Sequence, residues 1–417
     1  METTRRQALR ILGGAAVAAG GRARAWAASE RGPIRVGFIA PLSGPLAQNG
    51  KGFWDGFRLY FEHTGMQAGG RRIELLAEDS WVEPAEALTK LRKLVERDRV
   101  HVAAGGLLAP TGLALQSYVL SQQIPFITFV GADDITQRKI IPWMIRTHCS
   151  SSQSTHPMGD YAYRVLGYRR VAGLNFDFGY GHESLGGFQR VFEELGGKVV
   201  QKLWAPTSVA DFAPYLAQLK RDVDAVFATF SGAPALRFLK QFAEYGLKGK
   251  LPIISQGTLT DEHVLPSMGD EALGVMSAYF YSAALDTPAN KTFSAAYTKA
   301  TGRIPSIYSS YPYTAGRWIV EGAKAVGGDV EDKERFLAAL KNVDIKDDQR
   351  GPIKIDPYGN PILNMYIRKV ERVGGRLQNS VIYTYPEVSQ FWTYKPEEFL
   401  KNPVYDRDKF PGYRYCE

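Results

Sequence analysis

The chain has 417 residues, 45% of them apolar and 23% charged, with a formal net charge of +8. That length exceeds one compact core and points to two domains, and the composition excludes a disordered or fibrous protein. Lys and Arg are dispersed without long basic blocks, so no nucleic-acid partner is expected, and no segment supplies the ~20 apolar residues that span a bilayer.

The first residues read as an export leader. Thr4-Arg5-Arg6-Gln7-Ala8-Leu9-Arg10 resembles a twin-arginine motif, Ile11 to Gly21 is a short apolar core, and Ala25-Trp26-Ala27 offers a small-x-small cleavage site. A signal over residues 1–27 places the mature start near Ala28 and the product in the periplasm. Its five Arg against Glu2 take +4 of the +8, leaving a mature net charge of +4. Only Cys149 and Cys416 are present. In an oxidising compartment such a pair invites a disulfide between the last residues and a mid-chain segment.

Past the leader, Ile34 to Asn49 reads as a buried strand ending in a Pro and Gly loop. A helix follows, with Phe53, Phe57, Tyr60 and Phe61 on one face. RRIELLAEDS is a strand, and PAEALTKLRKLVERD a helix with Pro84 in its first turn and Leu88, Leu91, Leu94 and Val95 inward. RVHVAAGGLLAP, the helix TGLALQSYVLSQQ and IPFITFVGADD continue the alternation expected of a parallel sheet covered on both faces. The Ser-rich, extended WMIRTHCSSSQSTHP breaks the rhythm and is the first predicted crossing between domains.

A second round of strand and loop units follows in RRVAGLNFDFGYG, KVVQKLWAP, DAVFATFSG and LPIISQGTL, with helices between them. From GVMSAYFYS the chain crosses back into helices in NKTFSAAYTKATG, SSYPYTAGRWIVEGAKAVGG and KERFLAALKNV. IKIDPYGNPILNMYIRKVERVGG then reads as two strands joined by a turn at Asp356 to Asn360, and SVIYTYP as a last strand. The predicted fold is α/β, with two doubly wound parallel-sheet lobes. The first takes residues 28–148 with 282–346, the second 149–281 with 347–385, and 386–417 form a tail packed on the surface.

Enzyme motifs occur only in part. Gly44 to Lys51 starts like a phosphate loop, but the spacing to Gly50 is one residue too long and Gly52 replaces the magnesium-binding hydroxyl. GHESLGG resembles a nucleophile elbow with His182 in place of its first Gly, leaving a hydrolase using Ser184 and His182 as a remote alternative to a plain helix start. His63, His101, His148, His156 and His263 are scattered without metal-ligand spacing, so they read as surface or satisfied core residues, and no metal or other cofactor is expected.

Taken in order, the leader, IRVGFIAPLSGPLAQNG, GGLLAPTG, IPFITFVGADD with RTHCSSSQ, NFDFGYG before a helix, and YSSYPYTAGRWIVEGAKA resemble the periplasmic solute-binding proteins of the branched-chain amino acid type. These type I binding proteins feed ABC importers. The resemblance runs from about Ile34 to Tyr385 and implies two lobes joined by three hinge crossovers, a monomer in function, and a permease in the inner membrane as partner.

Carried to this chain, the family's ligand loops are Ser43, Gln48 and Asn49, then Ala109 and Thr111, then Val130 and Gly131. The second lobe would add Phe178, Tyr180, Ser231 and Gln256, and the late helix Tyr311. Ala109 and Pro110 stand where amino-acid-binding relatives have hydroxyls. Val130 and Ala132 make their loop apolar, and Gln256 to Thr258 lacks the acid that would pair an ammonium. The reading is a non-enzymatic receptor for an aromatic or apolar carboxylate, with a branched-chain amino acid or amide receptor as the alternative.

Overall fold

Ile34 and Val36 to Ala40 form a run buried on both faces, the pattern of a central parallel strand, and make β1 (Ile34–Ala40). In α1 (Ala47–His63) the i, i+4 spacing of Phe53, Phe57 and Phe61 puts all three rings in the core. The structure, a computed structural model, describes residues 31–407. The leader over 1–27 and Cys416, with the bridge expected of it, lie outside the described residues.

The first round continues through β2 (Gln67–Ala68), β3 (Arg71–Asp79), α2 (Pro84–Arg92), β4 (Val102–Gly105), α3 (Ala109–Gln122), β5 (Phe126–Thr128) and β6 (Met144–Arg146). They build a six-stranded sheet in the order β2-β3-β1-β4-β5-β6. Its strands are parallel except for the short β2 at the edge.

The Ser-rich crossing is not extended as expected. Residues 147–155 form a turn-rich plug, and Ser150, Ser152, Ser154 and Thr155 are fully buried. Hydroxyls hydrogen-bonded to nearby carbonyls, such as Ser154 Oγ to Ser151 O at 2.8 Å, let so polar a stretch go inside.

The second round runs α4 (His156–Arg164), β7 (Arg170–Phe176), α5 (Gly179–Glu194), β8 (Lys198–Ala205), α6 (Ala213–Gln218), β9 (Ala225–Thr229), α7 (Gly232–Glu244), β10 (Ile253–Gln256) and β11 (Met276–Tyr279). After it come α8 (Pro288–Thr301), α9 (Ile307–Ala325), α10 (Lys333–Lys341), β12 (Asp344–Ile345), β13 (Ile353–Ile355), β14 (Pro361–Val373), β15 (Arg376–Val388) and α11 (Pro396–Phe399). The second sheet has nine strands, β12-β13-β14-β11-β10-β9-β7-β8, with β15 paired to β14. It is parallel from β8 to β11 and antiparallel beyond, because the Asp356 to Asn360 turn and the Gly374-Gly375 turn fold the chain back on itself. Both of those glycines have positive φ, as a two-residue hairpin connection requires.

Helices α8 and α9 return to the first sheet, where Phe293, Tyr308, Tyr311 and Trp318 share a core with Phe53 and Phe57. Asn360 knots the two halves: its Oδ1 accepts from Arg146 Nη1 and Thr136 Oγ1, each at 3.1 Å, and its Nδ2 donates to Gln153 Oε1 at 2.8 Å.

The last segment is more than a surface covering. β15 extends to Val388, and beyond it Phe391, Phe399 and Tyr405 form a small buried cluster. Gln390 exchanges hydrogen bonds with Thr136 on the first half. Tyr394 reaches Glu194 and Arg407 pairs with Asp177, both on the second half.

Candidate functional site

Ligands of open parallel sheets bind beyond the carboxyl ends of the strands, and here two sheets turn those ends toward one cleft. Leu107 to Ala109 follow β4, Phe129 to Ala132 follow β5, and His148 to Ser151 follow β6. From the other sheet come Phe178 and Tyr180 after β7, Ser231 after β9, Gln256 at the end of β10 and Thr258 just after it, and Tyr279 from β11. The first turn of α9 closes the ring with Ile307, Tyr308 and Tyr311. The cavity, partly open to solvent, is about 140 Å³, comparable in size to the ~150 Å³ of an apolar cavity that takes up one benzene ring.

Its walls are aromatic and pre-packed. Phe129 stands edge-on to Tyr311 with centroids 5.4 Å apart, and the Tyr311 ring lies 4.5 Å from that of His148. Phe178 leans on Tyr180 at 5.8 Å. The Tyr180 hydroxyl donates to Gln256 Oε1 at 2.6 Å and shares a 2.5 Å bond with Thr258 Oγ1, so this polar corner is held by its own hydrogen bonds.

The electrostatics favour an anion. Helices α3, α5 and α7 begin at the cleft at Leu108, Phe178 and Ser231, and none of the three N-caps makes a side-chain capping bond. Each helix N-terminus presents unsatisfied amides and about half a positive charge. Buried Arg146 is lowered to about 10 by burial, which leaves it charged at neutral pH. His148 is held neutral, well below its usual value, by burial and by Arg146 and Arg350 nearby. Burial raises the Cys149 thiol, so it too is neutral.

One carboxyl, Glu183 of α5, lines the cavity. Its Oε1 accepts from the Asp133 amide at 3.2 Å, and Oε2 has no hydrogen-bond partner among the described residues. Burial, then repulsion from Asp133, pushes it well above the usual carboxylate range.

Of the residues expected to bind ligand, Ala109, Gly131, Phe178, Tyr180, Ser231, Gln256 and Tyr311 come together in this wall. Five do not. Ser43 is exposed and hydrogen-bonded to Asp79, and Gln48 lines a separate groove beside Glu262 and Arg303. Asn49 hydrogen-bonds Tyr308 from behind the cavity wall. Thr111 is buried in α3, and the Val130 side chain turns into the core against Gly112, where an added Cβ would stand 2.9 Å from Val130 Cγ2.

Sequence reasoning missed Glu183, His148, Tyr279 and Tyr308. His148 read as an isolated histidine, and Glu183 as part of a helix start. The hydrolase pair is not assembled. The Ser184 hydroxyl is buried without a hydrogen-bond partner among the described residues, and His182 pairs with Asp177 at 3.0 Å, as two residues two apart on a helix cannot face each other. Among the described residues no group of three or more His, Cys, Asp or Glu is placed to hold a metal, and no helix is long and apolar enough to cross a membrane.

Residues 33–376 match the family described as periplasmic binding protein. The chain is 29% identical over 362 residues to Leu/Ile/Val-binding protein homolog 6 of Brucella melitensis, an alignment covering 84% of this chain and 91% of that one. Among solved structures, an ABC transporter substrate-binding protein from Sphaerobacter thermophilus is 36% identical with a TM-score of 0.83, covering 86% of this chain and 99% of its own. A solute binding protein of an ABC transporter from Rhodopseudomonas palustris BisB5, in complex with 3,4-dihydroxybenzoic acid, is 34% identical with a TM-score of 0.81, covering 86% and 98%.

Proposed function

The chain belongs to the periplasmic binding protein family, and from that premise we propose that it is the solute-binding component of an ABC importer, capturing a single-ring aromatic carboxylate in the periplasm. The observation that carries this reading is the cavity itself. It has room for one ring, walls of Phe129, Phe178, Tyr180, Tyr279, Tyr308 and Tyr311, and three helix N-termini without side-chain caps. Covering about 150 Å² of ring at ~25 cal/mol per Å² yields about 4 kcal/mol before the cost of association. The uncapped amides then hold the carboxylate. The dihydroxybenzoate-bound relative from R. palustris supports the same ligand class.

Binding between the two halves favours the closed form, which the permease would recognise; no chemistry is required of the receptor. A second reading, an amino-acid receptor of the same fold, draws on Glu183, which could release its proton to pair with a ligand ammonium, and on the naming of the Brucella relative. Ionising so buried an acid and desolvating the ammonium beside it costs several kcal/mol, comparable to what the aromatic walls return.

The two readings separate in a thermal-shift panel. Benzoate and its hydroxylated derivatives are expected to raise the melting temperature by several degrees, and leucine and valine by much less. Strong stabilisation by leucine with none by the aromatic acids would reverse the assignment.

A further inference from the structure

Glu183 is 6% exposed, yet it lines the aromatic cavity between the two halves. It comes from α5 on the second sheet's side, and its Oε1 is tied to the Asp133 amide on the first sheet's side. The Ser151 hydroxyl donates to the Gly131 carbonyl at 3.1 Å and also reaches the Glu183 carboxyl, where it opposes the rise that burial causes without overcoming it. Oε2 is left as a buried polar atom without a partner among the described residues. A buried polar atom left unpaired costs stability, so one retained at a ligand cavity is explained if the ligand satisfies it.

The neighbouring charges decide what Oε2 offers. Burial raises Asp133 too, but the Ser152 amide donates to its Oδ1 at 3.1 Å and the charge of Arg146 opposes the rise, so of the two acids it is the better placed to carry the negative charge. Arg146 spends its guanidinium on Ala132 O at 2.5 Å and on Asn360. Neither Arg146 nor any other cation forms a salt bridge to Glu183 among the described residues.

The remaining titratable groups of the wall are His148, Cys149 and the tyrosines, all neutral near pH 7. With Oε1 accepting the Asp133 N–H, the proton of a neutral Glu183 belongs on Oε2, the atom without a partner.

We propose that Glu183 is the specificity-determining donor of this cleft, its Oε2–H giving a hydrogen bond to the carboxylate of the captured solute. The inference rests on the reading of the cavity as a carboxylate site. It assigns the carboxylate end of the solute to the wall made by Glu183, Gly131 and the start of α3, and the ring to Phe178, Tyr180 and Tyr311. The high value at which burial holds Glu183 supports this geometry, because an ionised Glu183 would repel the anion.

The linkage has a definite sign. Affinity for a carboxylate is flat while Glu183 keeps its proton. It falls by up to tenfold per pH unit, about one proton's worth, once the pH rises above the value of Glu183 in the free protein.

Benzoate is the probe, since it has no group titrating between about pH 6 and about pH 9. Titration calorimetry of the full chain across that range should give weakening affinity toward high pH. Glu183→Gln, which keeps a donor but cannot ionise, should bind benzoate with a flat profile, and Glu183→Leu should lose about tenfold or more at low pH. A flat wild-type profile overturns the inference while leaving the carboxylate reading intact, as does a slope that survives in Glu183→Gln. Absence of benzoate binding at every pH overturns the carboxylate reading and this inference with it.

Discussion

At the scale of single residues, the cavity and its supports depend on a few buried polar groups whose partners are fully specified. Asn360 is the clearest, because it closes hydrogen bonds to Arg146, Thr136 and Gln153 at the junction of the two sheets. Asn360→Ala removes one of the bonds of a fully buried guanidinium. It is expected to cost about 3 kcal/mol, read as a lower midpoint in urea with an unchanged slope. An unchanged midpoint would mean that water replaces the amide there.

Such residues were poorly legible in the sequence. Phe178, Tyr180 and Tyr311 could be picked out because they follow strands or begin a helix in a known order of pieces. Glu183 could not, since a Glu near the start of a helix reads equally as a dipole partner facing solvent. Only the packing of α5 against the Asp133 loop turns it inward.

At the scale of elements, the alternation of strands and helices and the aromatic stripe of α1 were legible because they rest on local periodicity. The turn at Asp356 to Asn360 and the strands β13 to β15 around and after it were legible for the same reason, but the antiparallel joining of β14 to β11, the buried Ser-rich turn and the small core of residues 389–407 were not, because each depends on contacts between residues distant in sequence. The crossing of α1 with α9 shows how close such contacts become. A Cβ on Gly56 would stand 2.0 Å from the Ser309 carbonyl oxygen.

Gly→Ala inside a helix ordinarily stabilises by up to about 1 kcal/mol. Here two backbones would have to separate, so Gly56→Ala is expected to destabilise by about 1–3 kcal/mol. A raised melting temperature would show that the helices can part freely.

At the scale of the whole molecule, the segment after β15 ties both halves. It binds Thr136 and Arg138 on one side, through Gln390 and the Asn402 carbonyl, and Glu194 and Asp177 on the other. Arg190 lies 3.9 Å from the Tyr394 ring centre and packs against Phe399 as well. Ending the chain at Val388 is expected to lower the melting temperature by several degrees, through loss of the cluster of Phe391, Phe399 and Tyr405. Equal melting temperatures would show that the segment only lies against the surface.

The proposed function places the solute in the cavity between the halves, and the identity of that solute is the claim on which the proposal turns. Titration calorimetry of ligand-free protein with 4-hydroxybenzoate and with leucine, at neutral pH, tests it directly. The aromatic acid should bind at least about a hundredfold more tightly, a difference of about 2.7 kcal/mol. Leucine binding as tightly as the aromatic acid, or more so, would contradict it.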